Sequence, residues 1–197
     1  MRKITTGLLA IFSLLLVYSS TSSANEGSIA FVGARIIDGT MAGPIEDGVV
    51  VITDGRIRTV GPRSAVTVPA GAQIIDVAGK TIMPGLINAH GHVGGTLGLE
   101  EGHYTTENLV RQLGLYARYG VTTVNSLGGD EEQGFALRNS QFDQSLQRAR
   151  IYVAGSVVIG DSEAAIRAEV NRNADMGANF IKVRMDDNLG TTPKIPR

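Results

Sequence analysis

Thr81-Ile82-Met83-Pro84-Gly85-Leu86-Ile87-Asn88-Ala89-His90-Gly91-His92 is an apolar run punctuated by proline and glycine and closed by two histidines one residue apart. Side chains on a strand alternate between faces, so His90 and His92 leave one backbone on the same side. Two imidazoles held together at a strand end make half of a metal site. On spacing alone the pair also fits a solvent-exposed loop, and the rest of the chain has to decide.

Upstream of this stretch the rhythm is that of short strands and tight turns. Runs 29–32 and 34–37 are β-prone and separated by Gly33. Run 48–52 is a strand, Asp54-Gly55 is a hairpin turn signal, and 56–60 is the returning strand. Runs 73–77 and 80–83 add two more, with Ala78-Gly79 between them. Residues 25–83 therefore read as a small β-module, too poor in helices and large side chains to be comfortable alone.

Downstream, strand and helix alternate. Run 86–92 is a strand with its terminal loop, and 106–119 has helical periodicity through Leu109, Leu113, Tyr116 and Ala117, stopped by Gly120. A β-branched strand follows at 121–127, then a mainly helical stretch at 130–150 and a third strand at 151–155. Asp161-Ser162-Glu163 opens a helix that runs to Met176 with Gly177 as its stop, and 179–185 is a fourth strand. This order predicts an α/β fold with parallel strands and helical crossovers. Four such units do not close a (β/α)8 barrel, which typically takes about 250 residues against the 197 here.

Composition narrows the classes. The formal charge of −1 gives no basic field for nucleic acid, and the absence of cysteine excludes disulfides and thiolate metal sites. Arg2 and Lys3, the apolar run 7–18 and the small residues Ser22-Ser23-Ala24 form a signal-peptide pattern over 1–24, with cleavage after Ala24. The apolar run is shorter than the ~20 residues a membrane-spanning helix needs, so no stable span is expected and the product is exported, periplasmic or secreted. An uncleaved interfacial anchor is the alternative.

The ordered series Asp54-Gly55-Arg56-Ile57, Ile75-Asp76, Gly79-Lys80, the string from Met83 to His92, Gly120-Val121-Thr122-Thr123-Val124 and Gly177-Ala178-Asn179-Phe180-Ile181-Lys182-Val183 resembles the first part of an amidohydrolase-superfamily enzyme. The branch it is most similar to holds imidazolonepropionase-like and Xaa-Pro dipeptidase-like hydrolases. The resemblance implies a partial (β/α)8 barrel over 84–197, about the first four βα units, preceded over 25–83 by the N-terminal half of a small β-sandwich. It implies one or two divalent metals held by His90, His92 and Lys182, the lysine carboxylated. Zinc is favoured by imidazole and oxygen ligands, with manganese an alternative.

The local chemistry of Lys182 points the same way. Ile181 and Val183 flank it in a strand expected to be buried on both faces. Burial favours the neutral amine, which can add CO2. Otherwise the lysine reaches the strand end charged, or pairs with Asp186 or Asp187. His103, in a loop after the first strand, and Arg184, on the face of Lys182, are candidate substrate-binding residues. The alternatives are an ordinary surface histidine and an ion pair with Asp186 or Asp187.

Three departures stand out. Asn88 occupies the usual place of an aspartate that supports the first-strand ligands. Asn125-Ser126 replace an arginine-aspartate pair, and the loop 156–161 is short. The histidines of the fifth and sixth strands and the catalytic aspartate of the eighth have no counterpart here, so no catalytic residue is assigned. The implied reaction is hydrolysis of a C–N bond in a small-molecule amide, dipeptide or cyclic amide by metal-activated hydroxide, with weak or no turnover from this chain alone. The alternative is a non-catalytic remnant that binds metal weakly or needs a complementary chain.

Overall fold

The computed structural model describes residues 27–143, 145–192 and 194–195. The signal-peptide pattern over 1–24 lies outside the described residues. What is described is mixed α/β: one five-stranded sheet, one three-stranded parallel sheet, a two-stranded ribbon and three helices.

The first sheet contains β1 (Ile29–Ile36), β2 (Ile45–Thr53), β3 (Arg56–Pro62) and β4 (Gln73–Asp76) in the order β3-β2-β1-β4, and β5 (Thr81–Ile82) also pairs with β1. Asp54 and Gly55 make the expected β2–β3 hairpin, with φ of 50° and 68° as a primed turn requires. The two β-prone runs on either side of Gly33 form one strand. Val32 faces Val49 while Ala34 faces Gly48, so Gly33 (φ 90°) is the extra residue of a bulge. One inserted residue flips every later side chain to the other face. Ala30 and Val32 therefore pack with Val49 and Val51, whereas Ala34 and Ile36 pack on the opposite face with Val50.

The parallel sheet runs β10-β9-β6, from β6 (Leu86–Gly91), β9 (Val121–Ser126) and β10 (Arg150–Val153). The ribbon β7 (Thr96–Leu97) and β8 (Glu100–Glu101) projects from the loop after β6. Helix α1 (Thr106–Arg118) starts where Thr105 Oγ1 accepts the Asn108 N–H at 3.2 Å and ends before Gly120 at φ 80°. Its buried Leu109 and Leu113 join Val93, Val124, Phe135, Ile151 and Val153 in the core between helices and sheet. Helix α3 (Glu163–Asp175) is capped by Ser162 and stopped by Gly177 at φ 76°, as the sequence predicts.

Two expectations are corrected. The helical stretch expected over 130–150 holds only α2 (Glu132–Asn139). Beyond it, Asp143 Oδ1 takes the N–H and hydroxyl of Ser145 at 2.7 and 2.6 Å, a local turn that competes with the helix. Buried Gln141 instead gives its carbonyl to the Ile151 N–H at 2.8 Å. The fourth strand is a single bridge, Val158 to Val183. Ile181 and Val183 are 40% and 42% exposed, so the two-sided burial expected around Lys182 is absent.

Candidate functional site

Three of the five candidate side chains come together beyond the carboxyl ends of the parallel strands. The rings of His90 and His92 have centroids 5.5 Å apart, and Lys182 Nζ lies 3.4 Å from His90 Nε2. Sequence places the lysine 92 positions from His90, so only the fold explains the meeting.

Strand β6 slips where it delivers the histidines. Asn88 faces Val124 and Gly91 faces Ser126, so β6 carries one residue more than β9 over that interval. Bulges of this kind re-aim side chains. Asn88 serves the slip: its Oδ1 accepts the His90 N–H at 3.1 Å, while its Nδ2 donates to the Tyr116 hydroxyl at 3.2 Å. The departure from aspartate thus ties β6 to α1 through the amide. Gly91 faces inward between the two exposed histidines, and a Cβ there would stand 2.7 Å from Val124 Cγ1.

A backbone carbonyl assigns the tautomer of a neutral His92. His92 Nδ1 lies 3.2 Å from the Gly128 carbonyl, which can only accept, so neutral His92 carries its proton on Nδ1. His90 Nε2 faces Lys182 Nζ, and which of the two donates depends on the ring's tautomer. Neutral His92 therefore keeps an Nε2 lone pair, one of the two imidazole nitrogens a divalent metal can take. Among the described residues no three His, Asp or Glu side chains converge into a complete ligand set. The donor chemistry fits part of a metal site: two imidazoles, and a lysine that becomes a ligand only as a neutral amine or a carbamate.

Among the described residues the other two candidates make no hydrogen bond or ion pair with these three. His103 pairs with Glu100 at 3.4 Å and borders a cavity shared with Leu97, Glu107, Asn108 and Arg111, distinct from the one His92 lines. Arg184 donates its backbone N–H to the Val158 carbonyl at 3.1 Å, and among the described residues its side chain enters no ion pair.

Sequence reading missed the buried polar centre beside His92. A cavity of about 350 Å³ is lined by His92, Tyr104, Gly128 and Glu131 among others. At its wall Tyr104 donates to Asp130 Oδ1 at 3.3 Å, and Asp130 Oδ2 accepts the N–H groups of Ala154 and Gly155 at 2.8 and 3.2 Å. One carboxylate, 5% exposed, thus joins the loops after β6, β9 and β10. Burial raises its pKa above the ordinary carboxylate value, against the opposing pull of these donors. Burial and the nearby Asp130 charge likewise push the Tyr104 hydroxyl up.

The sign of the linkage follows. An acid whose folded pKa is raised binds more protons folded than unfolded, so its contribution is full below the ordinary carboxylate range and is lost as pH rises through the folded value. Urea midpoints of the wild type should fall across that window relative to those of Asp130→Asn, which keeps an acceptor for Ala154 and Gly155. Parallel pH profiles for the two proteins would show that Asp130 does not titrate this way.

The family model described as the amidohydrolase family matches residues 81–196. A 5-methylthioadenosine/S-adenosylhomocysteine deaminase of Nitratidesulfovibrio vulgaris is 47% identical over 49 residues, 24% of this chain and 11% of that protein. An imidazolonepropionase of Caulobacter vibrioides is 47% identical over 51 residues, 26% of this chain and 13% of its own. The crystal structure of a protein assigned as a prolidase, from Bifidobacterium longum, superposes with a TM-score of 0.68 at 26% identity, covering 81% of this chain and 41% of that one. The chain thus spans less than half the length of each of these proteins.

Proposed function

Because the chain belongs to the amidohydrolase family, we propose that it is part of a metal-dependent hydrolase that cleaves a C–N bond in a small-molecule amide, dipeptide or cyclic amide. The observation that carries the reading is the meeting of His90, His92 and Lys182, with His92 presenting an Nε2 lone pair. The three similar proteins, named as a deaminase, an imidazolonepropionase and a prolidase, support C–N chemistry. Residues 84–197 are read as the opening βα units of a (β/α)8 barrel and 25–83 as part of a β-sandwich. The successive parallel strands β6, β9 and β10, each followed by a helix, support the barrel reading.

His90, His92 and a carboxylated Lys182 would hold the metal, zinc by preference for imidazole and oxygen donors. Bound divalent metal supplies Lewis acidity, polarising a carbonyl and bringing the pKa of water toward about 7. The chain's own contribution is orientation. Asn88 holds the His90 backbone, Gly128 holds the His92 ring, and the Tyr104–Asp130 pair walls the adjoining cavity from the core.

Purified protein, incubated with zinc or manganese and then dialysed, should retain metal in proportion to protein. With the ion, this chain alone should give at most weak product release from a dipeptide or a cyclic amide. Metal retention without turnover would support the non-catalytic alternative, and loss of both would overturn the proposal. We also propose export with cleavage after Ala24, supported by Arg2, Lys3 and the apolar run 7–18. N-terminal sequencing of the exported protein should begin at Asn25; a start at Met1 or Arg2 would refute it.

A further inference from the structure

We infer that Gly128 is a positioning residue, whose carbonyl locks His92 in the Nδ1–H tautomer and whose missing side chain leaves room for Val157. Gly128 sits in the loop after β9 at φ 110°, a region that favours glycine. A Cβ there would run into the side chain of Val157 and lie 3.7 Å from Lys182 Cγ. The same residue therefore meets His92 through its carbonyl and lets the Val157 side chain close on its bare Cα.

The carbonyl is held in place from both sides. Just before it, the Leu127 N–H donates to the Gly91 carbonyl at 2.9 Å, anchoring the loop to the residue between the two histidines. Two residues after it, Asp130 donates its N–H to the Gly155 carbonyl at 3.2 Å and receives the Ala154 and Gly155 N–H groups on its carboxylate. Gly128 is thus spanned between fixed points on β6 and at the end of β10, and its carbonyl has little freedom to leave His92. A group that fixes the far nitrogen of an imidazole decides which nitrogen is free and where it aims. Solvent favours the opposite tautomer of a free imidazole, with the proton on Nε2, so the effect has a spectroscopic signature.

The inference rests on His92 being a ligand, but its test does not need metal. Long-range 1H–15N correlation spectra of the metal-free protein, at a pH where the imidazoles are neutral, should show His92 with a pyrrole-like Nδ1 and a pyridine-like Nε2. His103, whose Nε2 faces Glu100, is the internal comparison. In the double variant Gly128→Ala/Val157→Ala, designed to remove the overlap with Val157, His92 should shift toward Nε2–H, with Val157→Ala alone as the control for folding. Zinc affinity of the double variant should fall about 10- to 100-fold relative to Val157→Ala, the usual effect of removing a partner of a metal-ligating histidine. His92 as Nε2–H in the wild type, or an unchanged His92 tautomer in a folded double variant, would overturn the inference. Failure of wild-type protein to bind zinc while His92 is Nδ1–H would instead count against the proposed function and leave the role of Gly128 standing.

Discussion

Alanine at His90 or His92 is expected to strip the protein of divalent metal. Each imidazole is one of only two that the described residues bring to the site, and no third His, Asp or Glu stands ready to replace it. Loss of a direct ligand should exceed the about 10- to 100-fold that loss of an outer partner costs in affinity. In a protein that turns over, hydrolysis should fall by on the order of 10³-fold, because Lewis-acid stabilisation is lost with the ion. Lys182→Ala belongs to the same experiment. If Lys182 is a carbamate ligand, its alanine variant loses metal and short carboxylic acids restore it. Metal content after dialysis reads all three variants. Unchanged content in His90→Ala and His92→Ala would remove the basis of the functional reading, and unchanged content in Lys182→Ala would remove the carbamate.

Leu109→Ala is expected to give the largest loss of stability. Leu109 is fully buried, and its side chain closes directly on Gly94, where a Cβ would stand 2.6 Å from Leu109 Cδ2. It holds α1 against Val93, Tyr104 and Val124, the segment that carries the histidines and the strand beside it. Truncating a buried leucine costs about 2–5 kcal/mol, the larger values where the surroundings cannot collapse into the gap. Leu115→Ala on the same helix, where the side chain is 42% exposed, should stay within about 0.5 kcal/mol. Urea unfolding of the two variants compares them directly, and equal losses would mean that α1 is not anchored through Leu109.

Features with local causes were legible in the sequence. Asp54-Gly55 requires two positive φ values and found them; Thr105 and Ser162 cap α1 and α3; Gly120 and Gly177 end them. Both histidines follow from one strand end. Features made by the fold were not. Asp143 and Ser145 end the helical stretch early through a turn that periodicity does not register. Residues 179–185 read as a fourth strand in sequence, yet among the described residues only Val158 bridges to it. Tyr104 and Asp130 stand 26 positions apart, and neither residue type at that spacing announces a pair. Gly128-Gly129 after a β-branched strand was the one available hint, since consecutive glycines at a strand end mark a backbone under close approach.

The Asp130 carboxylate has a bearing on how such a chain can diversify. It grips one loop through a side chain, Tyr104, and another through main-chain donors of Ala154 and Gly155. The main-chain grip does not depend on which residue donates, although Gly155 itself is confined by φ 75° and by Asn173. The Tyr104 grip depends on identity. Loops grafted after β10 therefore have only a backbone path to honour, whereas a new loop after β6 must bring a hydroxyl to Asp130 or arrive together with a change at that position. Recombination that separates Tyr104 from Asp130 should yield fewer folded progeny than recombination that separates Asp130 from Ala154.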